Sequence, residues 1–464
     1  MKRTRIISIV SLVAGAAACQ TPVRPDAGDD VVQSNDATDS GAGDVVTDAA
    51  DPRAPLSYMP MGCSYSVHTT TGTVNNSMGD TSTFGAMPDP LRPRVTWASD
   101  PSTSAVVLWN TDRDTRATVV QYGTDMASLT STAMGHVSTG GTGSSQVTVH
   151  ETHLCGLTAD TTYYYRVGGE GHFSAVQQFR TAPASATGSD VNFVVAGDTR
   201  DSFAIWGMVQ TQILAQTMTP DFFLFSGDAV ALGTDQGAWN QWLDAAAPTL
   251  SRMPYVLAHG NHDALAVNYL IQFAQPQTAM MDSDELYFSL NYGPIHLVVL
   301  NDTPYLGDIA GVVAGTERAW LMSDLAAVDR ARTPWVVVMH HKPAFSSSTH
   351  ANDADTLQIR AAWPPVYQQY HVDVVFNGHD HDFEVTQPLL GDGTVAPSGT
   401  PGTVYYTAAG AGAQLYPSRT SPFTRYSESV VNFVTVHATA TTLDMTPYRL
   451  DGSVISQGHV TLSR

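Results

Sequence analysis

Two hydrophobic rhythms divide the chain. Between residues 88 and 184, short runs rich in β-branched and aromatic residues (Arg94–Trp97, Ala105–Trp109, Gln146–His150, Thr162–Val167, Phe173–Thr181) are separated by Ser, Asp, Gly and Thr clusters. Roughly seven strands at this spacing predict an all-β sandwich. From residue 190 the rhythm changes. Continuous apolar runs predict buried strands at Phe193–Asp198, Phe222–Asp228, Tyr255–Asn261, Ile295–Asp302, Trp335–His341, Val372–His381 and Val404–Gly412. Helical segments fit between them at about 202–217, 236–247, 264–274, 315–331 and 354–370. Strands apolar on both faces that alternate with helices imply α/β layers around covered sheets. Two last runs, Val430–Val436 and Ser453–Leu462, flank a turn at Asp451–Gly452.

Of 464 residues, 43% are apolar and only 14% charged, enough to bury a sizeable core. The balance of 22 Lys+Arg against 43 Asp+Glu gives a net charge of −21. That argues against nucleic acid as the main partner, because a phosphate backbone needs basic patches. Lys2, Arg3 and Arg5, the apolar stretch Ile6–Gly15 and the small residues up to Cys19 read as an export signal. Cys19 behind Ala16-Ala17-Ala18 resembles a bacterial lipoprotein cleavage site, which implies a lipid anchor at Cys19. Gln20 after it favours an outer-membrane or cell-surface lipoprotein; otherwise the chain is periplasmic or secreted. Residues 20–55 carry eight Asp and two Arg and no aromatic residue, and read as a disordered acidic tether. Cys63 and Cys155 could form one disulfide, which the sequence leaves open.

The informative feature is how the apolar runs end. They deliver Asp198, Asp228, Asn261-His262-Asp263, His340-His341, and His379 with His381. Open α/β sheets place ligand sites at strand carboxyl ends. A single strand-end Asp is a turn former or cap, and a single His a structural residue. Five coincident cases point to a shared metal site. With no Cys in the set, iron–sulfur and Cys-zinc sites are excluded. Mixed carboxylate, amide and imidazole donors suit Zn, Mn or Fe. Six donors are too many for one ion with open positions, so two ions sharing a carboxylate fit better.

The motifs GD (197–198), GD (227–228), GNHD (260–263), HHKP (340–343) and GHDH (378–381) resemble those of the calcineurin-like metallophosphoesterases, in the family's order. The segment LCGLTADTTYYYRVG (154–168) with FRTAP (179–183) resembles the fibronectin-type-III-like N-terminal domain of purple acid phosphatases. The resemblance implies a four-layer α/β metallophosphoesterase sandwich behind an all-β fibronectin-III-like sandwich. The expected domains are a leader (1–19), a tether (20–55), an N-terminal extension (56–87), the β domain (88–184) and the catalytic domain with closing strands (190–464). It implies that Asp228 bridges two divalent or trivalent ions. Asp198 and His381 would hold the first, and Asn261, His341 and His379 the second. His340 is then a packing or supporting residue. His262 would face the substrate phosphate as donor or acid, and His350 would face the substrate from its loop.

Two positions depart from the family pattern. The branch has GDxxY, with a tyrosine on ferric iron, but Ala231 stands there. Other members place His two residues after the first Asp, where this chain has Arg200. The first ion would add waters, recruit Asp382 or bind weakly, and no purple colour is expected. Arg200 is a candidate to bind substrate phosphate through its guanidinium fork. The leading functional reading is an exported phosphatase acting on small-molecule phosphate monoesters through metal-activated water. The alternatives are a phosphodiesterase or nucleotidase on the same site, or a catalytically weak cell-surface binding protein.

Overall fold

The computed structural model describes residues 56–69, 74–76, 78–185, 190–263, 266–277, 285–303 and 315–464. The leader, Cys19 and the acidic tether lie outside the described residues. No described helix is long and apolar enough to cross a membrane.

The first domain is two packed antiparallel sheets. One orders Val74–Asn76, His136–Gly140, Val147–Cys155, Ser104–Thr111 and Leu91–Thr96. The other orders His172–Phe173, Thr162–Gly169, Val119–Gly123 and Ser131–Met134, with Gln177–Arg180 also on Thr162–Gly169. Strand Ser104–Thr111 is buried along its whole length. Its Val107 and Trp109 face Val120, Tyr165 and Phe179 in the sandwich core. Its Val106 and Leu108 face Ile271 and Ala274 of the second domain.

The sandwich is thus docked rather than merely tethered. Arg94 is fully buried at the junction. It donates from Nε to the Gln272 carbonyl at 2.6 Å and from Nη1 to Asn110 Oδ1 at 3.0 Å. Burial, with Arg92 nearby, pulls its guanidinium down to about 9. Tyr165 donates its hydroxyl to the Ser251 carbonyl at 2.7 Å, and Thr96 donates to that of Tyr255 at 2.8 Å. Cys63 and Cys155 form a disulfide across a sequence separation of 92, pinning the N-terminal extension to the sandwich.

The second domain has two sheets face to face with helices outside both, giving four layers. The first sheet orders Tyr255–Leu257, Phe222–Phe225, Val191–Ala196, Asn432–Ala438, Thr442–Arg449 and Val460–Ser463. The second orders Phe288–Tyr292, Ile295–Val299, Trp335–Met339, Val374–Asn377, Val404–Ala408, Phe383–Thr386 and Thr424–Glu428. Strand side chains alternate faces. Phe193, Val195, Leu297, Val337 and Phe376 meet between the sheets. Val194 and Phe223 turn outward onto Trp206 and Trp242, from the helices Phe203–Leu214 and Gln236–Leu250. Val298, Val336 and Val375 turn outward onto Leu321, Ile359 and Val366, from Thr316–Ala326, Ala354–Ala362 and Pro364–Tyr370. Both faces of each central strand are covered, which is why those strands read as unbroken apolar runs.

Two expected helices are much shorter and a third is broken. Of the segment 264–274, the described residues 266–274 keep one turn, Val267–Leu270, and 315–331 ends at Ala326. The segment 354–370 breaks at Trp363, because Pro364 has no N–H to continue the ladder.

Candidate metal centre

Strands Val191–Ala196, Phe222–Phe225 and Tyr255–Leu257 run parallel, as do Ile295–Val299, Trp335–Met339, Val374–Asn377 and Val404–Ala408. Loops after their carboxyl ends therefore leave the sheets on one side. Asp198 (φ 59°), Asp228 (φ 58°) and His379 (φ 71°) take left-handed backbone in those loops. Such residues cost about 1–3 kcal/mol each and persist only where the surroundings hold them. Here Asp198 N–H donates to the Gly227 carbonyl (3.0 Å), Thr199 N–H to that of Asp228 (3.1 Å), and His379 N–H to Asp198 Oδ1 (3.0 Å). A Cβ at Gly260 would lie 2.2 Å from Asp228 N, and one at Gly378 would lie 2.5 Å from Asp198 Oδ2, so both loops need glycine to close up.

The loops bring the donors together in two buried groups. Asp228, His341 and His379 form one; Asp198, Asp228 and His381 form the other. Within each, one ligand atom per residue lies within 4.8 Å of the rest, and Asp228 belongs to both. Asn261 joins the first of these groups, its Oδ1 standing 3.0 Å from His341 Nε2. His341 donates Nδ1–H to the Ser226 carbonyl at 2.8 Å, which leaves Nε2 facing Asn261 Oδ1 and Asp228 Oδ1 (3.4 Å). That is a convergence of acceptors, the donor set a cation needs. Burial would lower His341, but the Asp228 carboxylate outweighs it and pushes the imidazole up to about 10. In the other group, Asp198 Oδ2 is buried with no hydrogen-bond partner among the described residues, which also fits a cation.

The remaining predicted residues fall around these groups. His262 is half-buried; its N–H donates to Asp228 Oδ1 (2.9 Å) and its Nδ1 pairs with the Ala231 carbonyl (3.0 Å), which turns Nε2 away from the backbone. Ala231 is exposed and offers only that carbonyl. His350 stacks beside His379, ring centres 4.3 Å apart, and pairs through Nδ1 with Asp353 at 2.7 Å. His340 pairs with Asp302 Oδ2 at 2.9 Å and lies edge-on to Trp363, outside both groups. Asp382 is in neither group. Burial, with Glu384 and Asp380 beside it, pushes its carboxyl up to about 9. Arg200 lies on donors of the Asp198 group: Nη1 donates to Asp228 Oδ2 at 2.9 Å and to His381 Nε2 at 2.8 Å.

Two contributors have roles that the sequence does not assign. Asp263 accepts backbone N–H groups from Asp228 (2.9 Å), Ala229 (2.9 Å), Gly260 (3.0 Å) and Val230 (3.4 Å), tying the Asp228 loop to the Asn261 loop. The motif at 260–263 contains it, but the Asp228, Ala229 and Val230 amides that it accepts from lie 35, 34 and 33 residues upstream. Tyr416 stacks on His381 at 4.2 Å and meets His350 edge-on at 5.5 Å. No local pattern marks it.

Four layers around a cluster of Asp, Asn and His at the strand ends are those of a calcineurin-like phosphoesterase, and the family model of that description matches residues 191–383. The model of the purple acid phosphatase N-terminal domain matches residues 90–181. The chain is 30% identical over 252 residues to purple acid phosphatase 22 of Arabidopsis thaliana, covering 51% of this chain and 53% of the relative. It is 29% identical over 324 residues to the uncharacterized protein Rv2577 of Mycobacterium tuberculosis, covering 62% and 61%. The solved purple acid phosphatase PPD1 from yellow lupin (Lupinus luteus) seeds superposes with a TM-score of 0.69 at 18% identity, over 81% of this chain and 75% of that one. PhoD superposes with a TM-score of 0.57 at 13% identity, over 81% and 92%. The chain belongs to the calcineurin-like metallophosphoesterases of the purple acid phosphatase type. It spans about half to three-fifths of the length of the curated relatives it matches. The family implies a centre of two metal ions, and the two donor groups are residues that could hold them.

Proposed function

We propose that the chain is a metal-dependent phosphatase that hydrolyses small-molecule phosphate monoesters. The observation that carries this reading is the buried cluster built on the shared Asp228, with His262 beside it. Asp228, Asn261, His341 and His379 would hold a divalent ion, with Asp198, Asp228 and His381 as the donors of a first site. Zn, Mn and Fe suit this set. A bound ion supplies positive charge for the phosphoryl oxygens and lowers the pKa of water.

The chain's own residues do the rest. The loop hydrogen bonds fix the donors before substrate arrives, so little reorganisation is left for the reaction. With Nδ1–H donated to the Ala231 carbonyl, the imidazolium form of His262 carries its second proton on the outward Nε2, from which it would protonate the leaving oxygen or donate to a phosphoryl oxygen. His350 stands on the same rim, next to His379. Export to an oxidising compartment is part of the proposal, supported by the basic-apolar leader and the Cys63–Cys155 disulfide.

The test is turnover of p-nitrophenyl phosphate against bis-p-nitrophenyl phosphate by the full chain loaded with Mn, Zn or Fe. We expect monoester hydrolysis. His262→Ala should lower kcat by about 10²–10⁴ while leaving the metal content intact, and Asp228→Asn should lose both metal and activity. Faster diester turnover would replace the monoester reading with the diesterase one. No turnover with any metal would leave the binding-protein reading in its place.

A further inference from the structure

The Asp198–Asp228–His381 group is already engaged by a side chain. The Arg200 guanidinium, 14% exposed, uses Nη1 to reach both Asp228 Oδ2 (2.9 Å) and His381 Nε2 (2.8 Å). His381 Nδ1 lies 2.8 Å from the Gln414 carbonyl, which only accepts, so Nδ1 carries the proton. His381 Nε2 therefore holds one in-plane lone pair, and the guanidinium has it. A zinc-like ion binds imidazole at about 2.1 Å. Along the same lone-pair direction it would stand only about 0.7 Å from a nitrogen at 2.8 Å. The two occupants exclude each other. Asp228 divides likewise: Oδ2 goes to Arg200, whereas Oδ1 faces His341 and receives the His262 N–H.

We infer that Arg200 is the resident cation of the Asp198–Asp228–His381 group, so the chain binds one metal ion, at Asp228–Asn261–His341–His379. The guanidinium sets a permanent positive charge against two buried carboxylates, bonding Asp228 directly and leaving Asp198 Oδ2 without a hydrogen bond among the described residues. It has three consequences. The group cannot lose its cation to a chelator. It has no redox chemistry. It places a fixed charge beside the ion for an anionic substrate. Arg200 is thus a positioning and charge-supplying residue whose side chain sets metal stoichiometry.

This inference rests on the proposal that the Asp228–Asn261–His341–His379 group binds metal, and the experiment separates the two. The full chain is equilibrated with Mn²⁺, desalted, and its ions are counted by native mass spectrometry and metal analysis; the Mn²⁺ paramagnetic resonance spectrum is recorded in parallel. We expect one Mn²⁺ per wild-type chain with a mononuclear spectrum. Arg200→Ala and the bulkier Arg200→Met should each take up two ions with a spin-coupled spectrum, the second binding at least about tenfold tighter than in wild type. Two comparably held ions in wild type, or one ion in both variants, would overturn the inference and leave the metal-dependent reading standing. A wild-type chain that takes up no Mn²⁺ would overturn both. The wild-type count requires no variant to fold.

Discussion

Gly260 is the position where one methyl group should do most damage. A Cβ there would lie 2.2 Å from Asp228 N and 2.3 Å from Asp228 Oδ1. Contacts under 3.0 Å do not occur, so one loop must retreat by at least 0.8 Å. Neither can retreat freely. The Asp228 loop is held by Asp263, and the Gly260 amide is held by the same carboxylate at 3.0 Å. Overpacking of this kind costs about 1–3 kcal/mol. The geometric effect is larger, because the displaced carboxylate is the one shared by both donor groups. A misplacement of about 1 Å lowers catalysis about 10²-fold. Gly260→Ala should therefore cut kcat/KM by about two orders of magnitude and weaken metal binding. The control is Gly207→Ala in helix Phe203–Leu214, where a Cβ meets nothing closer than 3.8 Å. That change should be neutral or stabilise by up to about 1 kcal/mol. The assay is urea unfolding, metal count and phosphatase rate on all three proteins. A Gly260→Ala enzyme with wild-type rate and metal content would refute the claim that these loops are closed on each other.

Two further outcomes concern stability. His150 is buried between Thr111 and Thr118 and stacked on Trp109, and burial, with Arg116 nearby, lowers its imidazole to about 3. The unfolded chain gains this proton near pH 6.5 and the folded one does not, so stability is lost as pH falls from 6.5 towards 3. At pH 4.5 the loss should be about 2–3 kcal/mol, seen as a fall in the urea midpoint that is smaller in His150→Asn; equal falls would contradict it. Removing the Cys63–Cys155 bridge by a double Cys→Ser change should lower stability by about 2–5 kcal/mol, since it frees a loop of sequence separation 92; a thermal midpoint unmoved by the change or by reductant would count against this.

The strand ends were legible because parallel strands buried on both faces leave unbroken apolar runs, and Asp, Asn and His are conspicuous after them. Where the reading failed, tertiary demands overrode local pattern. Segment 266–274 sets Asn268 and Gln272 on one side of an otherwise apolar run, a spacing that suits a helix, yet only Val267–Leu270 coils. Its Ile271 and Ala274 pack on the sandwich while Tyr269 and Phe273 pack on Trp239 and Trp242. A segment wedged between two domains follows their surfaces rather than a period. Strand Thr442–Arg449 was missed because Pro447 interrupts it. The proline is tolerated because the pairing with Val460–Ser463 covers only Thr442–Met445, so Pro447 sits where no N–H is needed on that side. The roles of Asp263 and Tyr416 are not legible for another reason. Their partners lie far along the chain, and neither an Asp beside a motif nor a Tyr in a loop says which backbone or ring it will meet.

Two departures from the family pattern looked unrelated in sequence: an alanine for a tyrosine ligand at 231, and an arginine at 200. In space both bear on Asp228, Arg200 directly and Ala231 through His262. The Asp228 loop carries Ala231, whose carbonyl orients His262, and Asp228 itself accepts from Arg200. Removing a ligand alone would leave Asp198 and Asp228 as two buried carboxylates facing a poorly held ion, which is costly at low dielectric. Adding an arginine alone would put a guanidinium in competition with a strongly held ion. Together the changes are consistent. The weakened group no longer needs a metal, and the guanidinium satisfies Asp228 Oδ2 and the His381 lone pair with hydrogen bonds of ordinary length. The proposed hydrolysis does not depend on that metal, because Asn261, His341, His379, His262 and the shared Asp228 carboxylate remain to carry it. What changes is the source of one positive charge, from an ion drawn from solution to a residue written into the chain.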